Sequence, residues 1–367
     1  MIPRQGEALH RPGPPSRPDS TATAPTARPV SQLTRRTLFA ALGAAGASTL
    51  LAACGSADDG AAADGKGSWA FTDDRDRTAR SDGTPRNLVA YVGAAAALHD
   101  LGVDCKGVFG PTKLKNGKPD IQAGDLDVDK VTVIGNAWGE FSIEKYASLQ
   151  PDLLITTMNE SPVLWYVPEE SVKKVEALAP SIGILTAKSS LTGVIDRFAE
   201  LAESLGADLQ SKRVKDAEAR FRKASQALRR AAREASAKGS GLRVMAVSAQ
   251  ADLLYVGAPD YFTDLRYYQD HGVRLVKPDN PAANGVFAEL SWENADKYPA
   301  DVILLDRRTG NLQPDELKAS KPTWAKLPAV RAGQVVPWQN EARFSHAGYA
   351  PLIESLTEAL QQAKKVT

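Results

Sequence analysis

Apolar and polar positions along the chain change period several times. Short apolar runs read as strands over residues 87–92, 131–134, 152–156 and 182–185. Helical spacing predicts helices between them, over 93–101, 141–149 and 168–178. Strand and helix signals in alternation predict an α/β layer arrangement. From 191 to 238 the strand signal stops. Ile195, Phe198, Leu201 and Leu205 fit one helix, and Val214, Ala217, Phe221, Ala224, Leu228, Ala231 and Ala235 fit a second. After Gly239-Ser240-Gly241 the alternation resumes. Strands are expected at 243–247, 274–276, 302–305 and 334–337, and a last helix from Pro351. The pattern is therefore an α/β lobe at 85–190, an inter-lobe helical span at 191–238 and a second α/β lobe at 239–367.

Residues 141–155 and 290–304 repeat a pattern. Ser142 and Ser291 each stand two positions before a glutamate, Glu144 and Glu293. Each glutamate stands eight before an aspartate, Asp152 and Asp301, which opens an apolar strand. A serine suits an N-cap, and a glutamate just inside it meets the positive end of the helix dipole. The same device used twice can be local helix chemistry. It also places two acidic side chains on matching rims of two similar lobes, where paired basic residues of a partner could meet them.

Charge adds little at first. The 367 residues hold 45 Lys+Arg and 44 Asp+Glu, a balance that argues against a nucleic-acid binder. The distribution is more telling. The first 30 residues are rich in Pro, Arg, Ser and Thr, followed by Arg35-Arg36-Thr37-Leu38-Phe39 and an uncharged Ala/Leu/Gly run that ends in Leu51-Ala52-Ala53-Cys54. A basic segment, a short apolar run and small residues before a cut site describe an export signal. The arginine pair resembles a twin-arginine signal. Leu-Ala-Ala-Cys resembles a lipoprotein box, with Cys54 the first mature residue and the lipid anchor. The apolar run is about 16 residues, short of the roughly 20 of a spanning helix. Residues 1–53 are thus expected to be a signal peptide and 54–84 a tether and lead-in. Residues 1–53 hold six Arg and two acids, so the remainder carries 39 basic and 42 acidic side chains. Cys105, then the one free thiol, reads as a packing residue. The second inter-lobe helix carries ten basic and three acidic residues up to Lys238. That fits a solvated helix face, or attraction to anionic lipid headgroups.

Signatures of catalysis are missing. Gly-x-Ser-x-Gly and the phosphate-cradling Gly-x-x-x-x-Gly-Lys-Ser/Thr do not occur. Ser171-Val-Lys-Lys174 matches Ser-x-x-Lys without its usual companions and lies inside a predicted helix. A transition-metal site would need converging histidines and carboxylates. Only His99, His271 and His346 follow the leader. His346, in the last loop before the final helix, leaves haem ligation open.

Several segments in order resemble a family. They are the lipoprotein box, Trp69-Ala-Phe-Thr-Asp-Asp, Pro85-Arg86-Asn87-Leu88-Val89, Ala97-Leu98-His99-Asp100-Leu101-Gly102-Val103, Glu144 with Pro151-Asp152, Ser291-Trp292-Glu293, and Trp324 with residues 327–335. Together, over residues 69–365, the chain resembles the binding proteins of ATP-binding-cassette importers for ferric siderophores, haem and cobalamin. The resemblance implies two α/β lobes joined by a stiff helix, with the ligand in the cleft between them. It implies a monomeric, non-enzymatic, lipid-anchored protein outside the cytoplasmic membrane, without an intrinsic cofactor or metal of its own. Glu144 and Glu293 match the family's permease-docking glutamates.

Ligands of such sheets sit beyond the carboxyl ends of the strands. That rule selects Tyr91, Trp138, Trp165 and Tyr166 in the first lobe, and Tyr255, Tyr261, Phe287 and Trp338 in the second. Arg307, Arg308 and Arg343 are candidate donors to ligand oxygens, because a guanidinium is planar and always charged. The expected ligand is a ferric siderophore of hydroxamate type, whose chelator already holds the iron. The first lobe offers no arginine between Lys106 and Lys188 to complete the family's hydroxamate pattern. Haem or cobalamin, and more remotely an exported enzyme on the same scaffold, are the alternatives.

Overall fold

A computed structural model describes residues 68–237, 241–282 and 285–367. The expected signal peptide, Cys54 and nearly all of the tether lie outside the described residues. Among the described residues, no helix is long and apolar enough to cross a membrane.

A hairpin of β1 (Trp69–Thr72) and β2 (Thr78–Ser81) precedes the first lobe. That lobe holds β3 (Leu88–Tyr91), α1 (Val92–Asp100), β4 (Gly107–Phe109), β5 (Thr132–Gly135), α2 (Ile143–Ser148), β6 (Leu153–Met158), α3 (Val172–Leu178) and β7 (Ser181–Leu185). Its sheet runs β5-β4-β3-β6-β7, parallel throughout. Strands β3 and β6 are buried at every position, which is why they read as unbroken apolar runs without alternation.

α4 (Leu191–Ser204) and α5 (Lys212–Ser236) lead to the second lobe. Ser190 caps α4 by accepting a bond from the Gly193 amide at 3.1 Å. α5 buries Phe221, Ala224, Leu228, Ala231, Ala232 and Ala235 on one stripe, mainly against α10 (His346–Gln362). The second lobe holds β8 (Val244–Ala249), β9 (Leu253–Gly257), α6 (Thr263–Asp270), β10 (Phe287–Ser291), β11 (Val302–Asp306), three short helices α7 (Pro314–Ser320), α8 (Pro322–Lys326) and α9 (Pro328–Arg331), and β12 (Val335–Trp338). Its sheet runs β10-β9-β8-β11-β12, the same layout as the first. One difference matters: β9 returns from β8 as a hairpin and is antiparallel to both neighbours.

Two expected elements differ. Residues 274–276 form no strand. β9 pairs only with the end of β8, so the start of β8 is open, and Leu275 fills it with a single bridge to Val244. The last helix starts before Pro351, because Ser345 caps it through the Gly348 amide at 2.9 Å, leaving the proline inside.

The repeated aspartates do the same work in both lobes. Asp152 accepts the Arg86 and Asn87 amides at 2.8 Å, tying the start of β6 to the entry of β3. Asp301 accepts the Arg243 amide at 2.8 Å, tying β11 to β8. It also accepts the Val366 and Thr367 amides and an ion pair from Lys365. These donors outweigh the cost of burial and hold the Asp301 carboxyl down at about 2.

Candidate functional site

In each sheet the chain starts at the central strand, builds to one side, then crosses to the other. The crevice at that reversal is where such sheets bind ligands. In the first lobe it opens between β3 and β6, at Tyr91. In the second it opens between β8 and β11, at Asp306 and the following Arg307-Arg308. The structure brings these two points together.

Glu341, from the loop after β12, is the bridge. The Tyr91 hydroxyl donates to Glu341 Oε2 at 2.7 Å. Gln122 Nε2 donates to the same oxygen at 2.6 Å and to the Tyr91 hydroxyl at 3.0 Å. The other Glu341 oxygen pairs with Arg308. Arg308 turns its remaining nitrogens to Asp306, at 2.8 and 3.0 Å, and Ser248 donates to that carboxylate at 2.7 Å. Thr309 reaches across to Asp120. Burial alone would lower the Arg308 guanidinium, but Asp306 and Glu341 outweigh it, so the group is held above its ordinary range. Burial, with Glu341 beside it, pushes the Tyr91 phenol well up. The floor of the cleft is thus one cation between two carboxylates.

Aromatic rings rise from the floor on the first-lobe side. Tyr166 stacks on Tyr91 with centroids 5.4 Å apart. Trp138 and Trp165 each meet Tyr166, and each other, at 5.1–5.6 Å. Trp138 is 41% exposed, the outer end of the cluster. Trp165 Nε1 is buried with no hydrogen-bond partner among the described residues, a donor without an acceptor in the aromatic wall. Tyr166 sits at φ 62°, a left-handed conformation rare for a bulky residue. On the second-lobe side, Phe262 meets Tyr261 at 5.3 Å and Phe287 at 5.2 Å, and Phe287 meets Tyr255 at 5.8 Å. Phe287 opens β10 and so stands at the strand's amino end, not beyond a carboxyl end as expected, and reaches this group only through Phe262 and Tyr255. Lys188, from the first lobe, lies 5.8 Å over the Tyr261 ring and donates its amide to the Tyr261 carbonyl at 2.9 Å.

The remaining candidates separate. Trp338 is only 2% exposed. Its indole donates to Asp264 at 2.7 Å and its ring backs Phe262 at 5.0 Å, so it supports the wall from behind. Arg343 is a clasp between lobes. Its guanidinium holds Asp100, on α1, at 2.6 Å and Asp125 at 2.7 Å, and it lies against Gly124, where a Cβ would collide with it. Arg307 is half-buried, and its side chain has no ion pair among the described residues. His346 is not in this cleft: as the first residue of α10 it packs on Phe221 of α5 at 5.0 Å. Cys105 is buried, and burial pushes its thiol up to about 12. Gln122, Phe262 and Glu341 belong to the site without having been expected. Phe262 adjoins Tyr261 in sequence; Gln122 and Glu341 are single polar residues with no motif around them.

Glu144 and Glu293 are both exposed. Each follows the carboxyl end of a strand, β5 and β10, and β10 runs parallel to β8 because two antiparallel pairings separate them. Both glutamates therefore lie at the cleft-side edges of their sheets. A hydrogen bond to its own backbone amide, then one from the preceding serine, holds each carboxyl below its ordinary range. Glu144 opens an α-helix, Glu293 only a turn of 3-10 helix.

The sequence profile of the periplasmic binding proteins matches residues 94–342. The chain is similar to the Fe(3+)-citrate-binding protein YfmC of Bacillus subtilis, 24% identical over 271 residues, covering 74% of this chain and 78% of that one. Among solved structures it is similar to DesE, a ferric-siderophore receptor protein from Streptomyces coelicolor. The two are 50% identical with a TM-score of 0.78, over 82% of this chain and all of DesE. The petrobactin-binding protein YclQ of Bacillus subtilis shares the fold at 18% identity and a TM-score of 0.61, over 81% of this chain and 100% of YclQ.

Proposed function

Because this chain belongs to the periplasmic binding protein family, we propose that it captures a ferric siderophore outside the cytoplasmic membrane and delivers it to an ATP-binding-cassette importer. The observation that carries the reading is the pair of aromatic walls over a polar floor, in a chain 50% identical to a ferric-siderophore receptor. A ferric siderophore is bulky, largely apolar outside and rimmed with oxygens. Trp138, Trp165, Tyr166, Tyr255, Tyr261 and Phe287 offer area and stacking. Arg307 and, on rearrangement of what covers them, Trp165 Nε1 and Arg308 offer donors to those oxygens.

The charge of the floor favours hydroxamates. Arg308 is outnumbered by Asp306 and Glu341, with Asp120 near by. A neutral or cationic ferric hydroxamate meets no repulsion there, whereas ferric citrate or a ferric catecholate brings several negative charges. The chelator supplies every iron ligand, so the protein acts by shape and hydrogen bonding. Cys54 is the proposed lipid anchor, and Glu144 and Glu293 the proposed docking points for arginines of the permease. Exposed ion pairs are individually worth about 0–1 kcal/mol, which keeps such docking reversible.

The test is intrinsic tryptophan fluorescence titrated with ferric hydroxamates, ferric citrate, a ferric catecholate, haem and cobalamin. Saturable quenching at micromolar or lower ferric hydroxamate is expected, at least tenfold tighter than for the anionic chelates. Tighter binding of haem or ferric citrate would overturn the ligand assignment.

A further inference from the structure

The outer face of α5 is left unexplained by ligand capture. The helix buries a stripe of Phe221, Leu228 and alanines, and the opposite face carries Arg222, Lys223, Arg229, Arg230 and Arg233 within three turns. All five are exposed. Arg222, Arg229 and Arg233 follow one another at seven and four positions, so they fall on one line along the helix. Arg230 and Arg233 have no ion pair among the described residues, and Glu234 is the one acid on this half of the helix. The arginine line also forms one rim of a pocket of about 260 Å³ floored by the rings of Phe221 and Tyr267. Arg222 lines it with His346, and Arg229 touches His271 Nε2 at 3.5 Å, with Glu218 at one end, 3.5 Å from Arg222. Burial, partly offset by a bond to the Tyr267 carbonyl for His271 and by Glu218 and Asp196 near His346, lowers both imidazoles. The positive charge here therefore belongs to the arginines.

The chain outside the structure points the same way. The described body begins beside the α4–α5 junction: the Trp69 indole donates to Ser204, the last residue of α4, at 3.2 Å. From there the tether runs back to Cys54, a span of about 14 residues that reaches at most roughly 50 Å when extended. α5, at 25 residues, is about 37 Å long. An anchor at Cys54 would hold the whole helix within reach of the bilayer.

We infer that the Arg222–Arg233 face of α5 is a docking surface for anionic phospholipid headgroups, with the Arg222/Arg229 pocket seating one phosphate. This rests on the membrane-anchored reading of the chain, but its test does not require lipidation. Mature protein beginning at residue 54 and carrying Cys54→Ser is mixed with vesicles of phosphatidylcholine alone or with one third phosphatidylglycerol, and bound protein is measured by flotation. Binding is expected only to the anionic vesicles, and to fall steeply as salt is raised. Each basic residue near such a surface contributes about fivefold in affinity. R222Q/R229Q/R230Q/R233Q should then lose at least a hundredfold. K173Q/K174Q/K318Q/K326Q, with the same charge removed elsewhere, should lose less than threefold. Ferric-siderophore quenching should be unchanged in both, which shows that both are folded. Equal losses in the two variants, or indifference to phosphatidylglycerol, would overturn the inference. So would inorganic phosphate binding the pocket in protein that ignores vesicles. Palmitate labelling of the wild type reports the Cys54 anchor separately.

Discussion

The second aromatic wall rests on a buried acid, and the free energy of that arrangement can be read against pH. Asp264 is 2% exposed, accepts the Trp338 indole on one oxygen and the Leu265 amide on the other, and lies near Asp306. Burial dominates, and the carboxyl is pushed up from 3.8 to about 7. In the unfolded chain it ionises near 3.8, so between these values the unfolded state binds fewer protons than the folded one. Stability attributable to this group therefore falls as pH rises through the interval and is flat above it. At 1.36 kcal/mol per unit, the loss is about 1.5 kcal/mol by pH 5 and about 4 kcal/mol above pH 7. Asp264→Asn keeps an acceptor for the indole but cannot also accept the Leu265 amide, which costs about 1 kcal/mol at any pH. The variant should be about 0.5 kcal/mol less stable than the wild type at pH 4 and about 3 kcal/mol more stable at pH 8. Urea unfolding followed by circular dichroism at several pH values measures the difference, and subtracting the wild type removes other titrating groups. A difference that does not change between pH 4 and 8 would refute the reasoning.

The cleft and the rims supply further tests. Glu341→Gln removes one floor charge. At about 6 Å and an effective dielectric of about 20, each negative charge on a ligand then gains roughly 2–3 kcal/mol. Quenching titrations should show ferric citrate gaining most and a neutral ferric hydroxamate little. Arg343→Ala leaves the buried Asp100 with Ser345 and the half-exposed Arg213, 3.6 Å away. A loss of about 3–5 kcal/mol in unfolding free energy is expected; unchanged stability with lost ligand binding would make Arg343 a ligand contact after all. Glu144→Ala with Glu293→Ala should leave quenching intact and abolish uptake of radioactive iron. Tyr166→Ala should weaken ferric-siderophore binding about tenfold or more through lost stacking, with a smaller change in melting temperature than Arg343→Ala.

Much of the fold was legible because the inner strands are buried on both faces and read as apolar runs, while α4 and α5 show a clean helical period. The paired Ser-x-Glu and Asp marks were legible for a related reason: both lobes fasten their central strands with the same carboxylate. The short strands escaped. β4 has three residues, and β9 and β10 belong to a hairpin-type arrangement that strand-helix alternation does not suggest. In the site, aromatic residues were visible as a class, but whether each faces the cleft depends on what stands behind it. Trp338, expected to face the cleft, instead backs Phe262, which was not expected, because a buried carboxylate captures the indole. Arg343 and Glu341, two residues apart, point to opposite jobs, since one finds Asp100 and the other finds Tyr91. Single-residue pairings across 200 and more positions leave no local trace.

The packing of α5 on α10 has a consequence for synthesis. When the ribosome completes α5, its apolar stripe has no cover, because α10 begins roughly 110 residues later. At about 5–20 residues per second the stripe stays bare for about 5–20 s, and the start of β11 waits about 3–13 s for residues 365–367 to clamp Asp301. The nascent protein therefore offers chaperones a long, sticky helix until α10 has been made. Any export route that accepts only folded molecules has to wait for α10 to close over α5.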